Sequence, residues 1–271
     1  MSFTVEHVQW LEDTGERVVS VCGKSIPIFK LSHDASNEKI MSAWARYFRN
    51  HYCSDEQIEY IKNPSKTNSE YLLTEKFPHE QNPPGPSIRA GDFAEILVAD
   101  YLEFVRFYKV PRTRYERKII ANESSKGSDV IAFRKEPGVI SATDELLIFE
   151  VKAKASENSK NNVLQTAIDD SVKDEMRIAE SLNAMKQRLL DKYDLDGVQL
   201  VDRFQREPDH PFKRIYGAAA VVTETSFNSV IISGSTTAKH PKAQELELIV
   251  IRSVQLMPLV HALYKRAADE A

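Results

Sequence analysis

The chain has 271 residues and a formal net charge of −4, from 36 Lys and Arg against 40 Asp and Glu. With 42% hydrophobic and 28% charged residues, the composition excludes a disordered or fibrous protein and predicts one large domain, or a core domain with an extension. The cysteines, Cys22 and Cys53, exclude a disulfide scaffold and a cysteine zinc site. We find no signal sequence and no apolar run long enough to span a membrane, so we expect a cytoplasmic protein with no membrane contact.

Positive charge is concentrated in one short segment. Residues 106–118 contain six basic residues and one acid, a local charge of 6 − 1 = +5, which leaves −9 for the rest of the chain. The acidic remainder argues against a purely electrostatic nucleic-acid binder. Two interpretations of the segment stay open: a phosphate contact with interleaved aromatic residues, or a solvated helix end and strand face. The candidate DNA contacts are Arg112, Arg114, Arg117, Lys118 and Lys154.

The first third of the chain predicts a small α+β extension. Two strand-like runs at residues 18–22 and 26–29 flank a turn, and residues 35–53 show the spacing of an amphipathic helix. The strongest break in the chain is the proline-rich segment 82–86. We therefore predict an extension over residues 1–84 and a core over residues 85–271 that ends in a helix.

The core predicts alternating helices and strands. Apolar residues at helical spacing mark a helix over 87–107, and strands are expected at 115–120, 128–133 and 146–154, with a turn at 135–138. One long helix, or two with a bend, follows over 161–193. The pattern ends with strands at 215–223 and 246–252 and a helix over 253–268. This order, α-β-β-β-α-β with additions, predicts an α/β fold with a central mixed sheet.

The strand expected at 146–154 carries a pattern typical of an active site. It is apolar until Glu150 and Lys152, whose side chains share one face because strand side chains alternate. Charged groups beside a buried run are costly unless they are paired or functional. The plain interpretation, an internal Glu–Lys pair at a strand end, stays open. Glu116 and Lys118 have the same spacing but no apolar run before them.

Two further carboxylates strengthen the functional interpretation. Asp129 follows a glycine turn at the start of the preceding strand and can oppose Glu150 in a hairpin, and Glu95 lies at the edge of the apolar face of the helix before it. Such carboxylates can hold Mg²⁺ (or Mn²⁺), which activates water and stabilises charge on a phosphodiester. Lys152 can position or deprotonate the water, and Lys154 shares its face and can reach a phosphate.

This set of residues resembles the PD-(D/E)XK nuclease superfamily, which has a restriction-endonuclease-like core. The resemblance covers residues 87–223 and depends on Glu95, Asp129, Glu150 and Lys152 in their expected elements. Ser128 stands where a proline often precedes the aspartate, a variation found in the superfamily. The resemblance implies a metal-dependent DNA nuclease with Asp129, Glu150 and Glu95 as metal ligands and all four residues in the catalytic set.

More narrowly, the layout is similar to the HamA family, the nuclease subunits of the Hachiman anti-phage system. The similarity lies in the length, the small N-terminal region and the segments 89–95, 126–129 and 150–152. It implies a defence nuclease that works beside a superfamily 2 helicase, HamB. Two alternatives stay open: a nuclease of the same fold in restriction or repair, and an inactive nuclease-like subunit that binds DNA or a partner.

Overall fold

A six-stranded mixed β-sheet lies between two layers of helices in the computed structural model, which describes residues 4–136 and 138–271. Pro137, in the turn expected at 135–138, lies outside the described residues. The strands are β1 (Leu11–Val19), β2 (Ser25–Leu31), β3 (Val130–Arg134), β4 (Glu145–Lys154), β5 (Lys213–Thr223) and β6 (Leu246–Ser253). The helices are α1 (Glu38–Asn50), α2 (Ile58–Ile61), α3 (Asn68–Tyr71), α4 (Gly85–Asp100), α5 (Val163–Ser171), α6 (Asp174–Asp191), α7 (Leu195–Arg203), α8 (Ser229–Ser233) and α9 (Leu256–Asp269).

The strand order is β1-β2-β6-β5-β4-β3. The two outer pairs, β1–β2 and β3–β4, are antiparallel, and the inner strands β2, β6, β5 and β4 pair in parallel. This confirms the predicted α/β architecture with a central mixed sheet. The N-terminal hairpin extends that same sheet, because Ile28 of β2 lies opposite Val250 of β6. The boundary between an extension (1–84) and a core (85–271) stays a prediction. The strands on either side of it belong to one sheet.

The buried side chains form two clusters, one on each face of the sheet. On β4, Leu147, Phe149 and Val151 belong to the cluster that includes residues of α1, α4 and α9. Leu146 and Ile148 belong to the opposite cluster, which includes residues of α5, α6 and α7. The alternation of β4 therefore directs the side chains at even positions, including Glu150, towards the layer of α5 and α6.

Most predicted elements are confirmed with shifted ends, and the helical region 161–193 forms the two-helix alternative, α5 and α6. Asn162 caps the first of these, since its side chain accepts a hydrogen bond from the backbone N–H of Gln165. The helix expected over 87–107 is α4, continued by a π-helical turn at Tyr101–Val105. Within the described ranges, we find no helix that combines the length and the apolar character needed to cross a membrane.

One predicted strand was wrong. Residues 115–120 form turns, and the nearest strand-like contact is an isolated antiparallel bridge between Lys109 and Phe133. The apolar residues that suggested the strand face solvent, with Ile119 95% exposed and Ile120 52% exposed. Tyr115 instead buries its side chain, and its hydroxyl donates a hydrogen bond to Glu95 of α4. The element order after α4 therefore has two strands before the next helix, where the sequence predicted three.

Candidate active site

The β3–β4 hairpin brings Asp129 and Glu150 together. The paired register ends with Val130 opposite Phe149, and Asp129 and Glu150 are the next residues along the chain on either side of that last pair. Residues directly opposite each other in such a pair place their side chains on the same face. The Val151 N–H donates a hydrogen bond of 2.9 Å to Asp129 Oδ2, which fixes the carboxylate beside β4. The hairpin argued from the sequence is confirmed.

Glu150 is a buried carboxylate held by two cations. It is 4% exposed, and Lys152 Nζ lies 2.6 Å from its Oε1 while Arg177 Nη2 of α6 lies 2.8 Å from its Oε2. Lys152 also lies 3.0 Å from Asp170 Oδ2. Burial and the nearby charge of Asp129 raise the pKa of Glu150 to about 7, against the opposing effect of Lys152. The group is therefore poised between its charged and neutral forms.

Glu95 reaches the same region from the other layer of helices. Arg114 joins it to Asp129, because its Nε lies 2.6 Å from Glu95 Oε2 and its Nη2 lies 2.7 Å from Asp129 Oδ1. The Tyr115 hydroxyl also donates to Glu95. Burial is the main cause that raises the pKa of Glu95 to about 8; Arg114 opposes this shift and Asp129 adds to it. Glu95 and Asp129 thus belong to one charge cluster, with the Arg114 guanidinium between them.

The basic segment is neutralised by acids from elsewhere in the chain. Arg112 lies 2.9 Å from Asp100 and Lys118 lies 2.5 Å from Asp92, with the side chain of Lys118 only 3% exposed. In this structure Arg112, Arg114 and Lys118 are therefore paired with carboxylates, and their contact with DNA stays a prediction. The ends of long side chains fold inward here because buried carboxylates require partners.

The remaining two candidate DNA contacts lie nearer to solvent. The side chain of Arg117 is 60% exposed and pairs with Asp191 at 2.6 Å, which is a surface ion pair. Lys154 is partly buried at the end of β4, on the face of Lys152. Their contact with DNA stays a prediction.

A cleft of about 310 Å³ adjoins this charge cluster. Glu95, Arg114 and Asp129 line it on one side, and α6 lines it on the other with Arg177. The sequence analysis did not name Arg177, and it named Arg114 as a candidate DNA contact, not as the partner of Glu95 and Asp129. The signal for Arg177 was available, since Asp170, Asp174 and Arg177 recur at helical spacing after the Glu150 strand; Arg114 gave no such signal, because its partners lie 15 or more residues away in sequence.

Almost the whole chain matches one protein family. The HamA family model matches residues 6–267, nearly the full length. The chain belongs to the HamA family. Because the match begins at residue 6, it includes the N-terminal segment that forms β1, β2 and α1. A search of the curated proteins gives no match. HamA membership suggests a protein of Hachiman defence and is consistent with a nuclease-like role.

Asp129 and Glu150 are the candidate ligands for a divalent cation in this HamA-family chain. Across the described ranges, no group of three or more His, Cys, Asp or Glu side chains is arranged to hold a metal. Asp129 and Glu150 nevertheless present hard oxygen donors on one face, and Mg²⁺ commonly uses one or two carboxylates and keeps several waters. Burial and the charge of Asp129 raise the pKa of Glu150, and Lys152 opposes this shift. In this structure each oxygen of the pair contacts a cationic side chain or a backbone N–H, so a Mg²⁺ or Mn²⁺ site here stays a prediction.

Proposed function

We propose that this chain is a metal-dependent DNA nuclease that hydrolyses phosphodiester bonds as the effector subunit of a Hachiman system, beside a HamB-like superfamily 2 helicase. The observation that carries the proposal is the opposition of Asp129 and Glu150 across β3 and β4, with Lys152 on the same face. Membership of the HamA family supports the defence setting over restriction or repair.

The proposal includes a PD-(D/E)XK core. In its support, α4 precedes a β3–β4 hairpin, α5 and α6 cover the face of Glu150, and β5 returns parallel to β4. The first strand of the expected core is reduced to the bridge between Lys109 and Phe133. This reduction leaves the hairpin that carries the candidate residues intact.

Each candidate residue has its own role in the proposed reaction. Asp129 and Glu150 would hold the cation, with Glu95 as an auxiliary acid joined to Asp129 through Arg114. When bound, Mg²⁺ or Mn²⁺ supplies a water of lowered pKa and offsets charge on the phosphate. Lys152, held beside Glu150, orients that water and stabilises negative charge as it develops on the phosphate oxygens.

Cleavage assays with matched variants test the proposal. Plasmid and linear DNA are incubated with Mg²⁺, with and without EDTA, for the wild type, Glu150→Gln and Lys152→Ala. We expect EDTA to abolish cleavage and each substitution to lower it by about 100-fold or more. Glu116→Gln is the control, since Glu116 has the same spacing to a lysine but pairs with Lys192 and not with a candidate catalytic residue. Cleavage that survives both site substitutions contradicts the proposal.

A second candidate function is a nuclease-like subunit that only binds DNA or a partner. It is favoured by one observation: both oxygens of Glu150 already contact cations, Lys152 and Arg177. The same assay separates the two functions. A wild type that binds DNA but does not cut it with Mg²⁺ or Mn²⁺, alone or with the helicase, favours the binding subunit.

The helicase partnership has its own test. The net charge of the chain is negative, so we expect its electrostatic attraction to DNA to be weak. We therefore expect the partner to increase DNA affinity or to control cleavage. The rate of DNA cleavage is compared for the chain alone and for the reconstituted pair. Equal rates and equal DNA affinities would contradict control by complex formation.

A further inference from the structure

One wall of the cleft is a single face of α6. The side chains that α6 contributes to the cleft are Arg177, Glu180, Ser181, Ala184, Met185 and Arg188. They recur at intervals of three and four residues, so they lie along one side of the helix. With a rise of 1.5 Å per residue, the eleven steps from Arg177 to Arg188 span about 16 Å along the helix. The stripe begins at the contact with Glu150 and extends away from the candidate active site.

Arg188 differs from the other arginines around the cleft. Arg112, Arg114 and Arg177 each pair with two carboxylates. Among residues 4–136 and 138–271, by contrast, no acidic side chain forms an ion pair with Arg188 and no hydrogen bond engages its guanidinium. Its side chain is partly buried on the cleft wall. No nitrogen of Arg188 is a buried atom without a partner, so the guanidinium stays accessible to an incoming anion.

The electrostatic surroundings agree with this interpretation. Burial is the main cause that lowers the pKa of Arg188, and the positive charges of Arg114 and Arg117 lower it further, against the weaker opposing effect of Glu116. The guanidinium stays charged at neutral pH, because an arginine pKa begins above 12. Arg188 therefore adds to the cleft wall a positive charge that no ion pair among the described residues offsets.

Two other features of the cleft point to a ligand. His51 lines it and is 7% exposed, yet its Nε2 finds no hydrogen-bond partner in the part of the chain that the structure describes. Val110, Pro111 and Met185 add an apolar surface. A cation, an unpaired buried imidazole nitrogen and an apolar wall match the phosphate, the polar base edge and the flat base or sugar of a nucleic-acid strand.

We infer that Arg188 binds a backbone phosphate of the nucleic-acid strand that enters the candidate active site along the α6 stripe. The identity of the ligand rests on the proposed nuclease function, because Asp129 and Glu95 line the same cleft. Arg188 is a substrate-binding residue in this arrangement, a few nucleotides from the reacting bond. Arg188 lies outside the basic segment at 106–118.

DNA binding, measured apart from cleavage, tests the inference. Fluorescence anisotropy of labelled single-stranded and duplex oligonucleotides is recorded in EDTA over a series of NaCl concentrations. We expect Arg188→Gln to weaken binding and to lower the slope of log affinity against log salt by about one, the loss of one phosphate contact. Arg206→Gln is the matched control, because Arg206 is 57% exposed and pairs with Asp202 outside the cleft. It should leave affinity and slope unchanged.

The outcomes separate this inference from the proposed function. Since Arg188 has no partner among the described residues, Arg188→Gln should keep the wild-type melting temperature, which excludes misfolding as the cause of weaker binding. Unchanged affinity and slope overturn the inference even where the wild type cuts DNA. Reduced binding in Arg188→Gln supports it even where no cleavage is detected. A wild type that binds inorganic phosphate but neither oligonucleotide also overturns it.

Discussion

Arg177 on α6 lies 2.8 Å from Glu150 on β4, measured from Nη2 to Oε2. This contact ties the helix layer to the strand that carries the candidate metal ligand. Arg177 also lies 3.0 Å from the fully buried Asp174 through its Nε, so one guanidinium serves two carboxylates. A divalent cation that binds Glu150 would be repelled by the positive charge of Arg177.

Replacing Arg177 should therefore tighten metal binding. In Arg177→Gln, a positive charge close to the bound cation is removed, and we expect roughly tenfold higher Mn²⁺ affinity, which corresponds to about 1.4 kcal/mol of repulsion. Isothermal titration calorimetry with Mn²⁺ measures this, with Arg206→Gln as the control. Weaker Mn²⁺ binding in Arg177→Gln would show that Arg177 positions Glu150 and does not compete for it.

The basic segment should contain residues of very different importance for stability. Arg114→Ala leaves Glu95 and Asp129 without their shared partner, and we expect a loss of about 3–5 kcal/mol in the free energy of unfolding. Arg117→Ala breaks only an exposed pair with Asp191, and we expect a loss within about 1 kcal/mol. Urea denaturation of the two variants measures the difference. Equal losses would contradict the burial of Arg114.

Acid should destabilise the fold partly through Asp100. Burial opposes the ionisation of this carboxyl, but Arg112 and a hydrogen bond from His7 outweigh it and lower its pKa from 3.8 to about 2. Because the folded pKa is depressed, the stabilisation is complete above pH 3.8 and is lost as the pH falls towards 2. We expect the stability difference between the wild type and Asp100→Asn to shrink by about 2 kcal/mol over that range. Urea titrations at several pH values measure it, and a constant difference would exclude this role.

A glycine on the strand beside β4 controls the packing next to the site. At Gly217 of β5, an added Cβ would lie 2.1–2.4 Å from three carbons of the Phe149 ring, so Gly217→Ala should force that ring to move. We expect a loss of about 1–3 kcal/mol, with reduced cleavage because Glu150 follows Phe149 directly. Gly91→Ala in α4 is the control, since no atom outside the helix lies within 4 Å, and it should stabilise by about 0.5–1 kcal/mol. Thermal unfolding of both variants measures this; an unchanged Gly217→Ala would contradict the close packing.

Local pattern predicted much of the fold correctly. The alternation of β4, the turn before Asp129 and the helical spacing after residue 161 depend on neighbours within a few residues, and periodicity reports such neighbours directly. The hairpin that opposes Asp129 and Glu150 followed from the same short-range information. The strand expected at 115–120 failed because its apolar residues, Ile119 and Ile120, remain in solvent while Tyr115 packs against α4.

The sequence by itself therefore determined the α/β class, most of the elements and the pairing of the two principal acids. Only the tertiary structure decided which acidic residue pairs with each basic residue. The +5 segment is neutralised by Asp92, Glu95 and Asp100 of α4 and by other distant acids, because buried ions require partners that the fold, and not the local sequence, supplies. Arg188, unremarkable in the sequence, is left as a cation without a partner among the described residues, on the wall of the cleft. Charge along a chain is local, whereas ion pairing depends on which surfaces folding brings together.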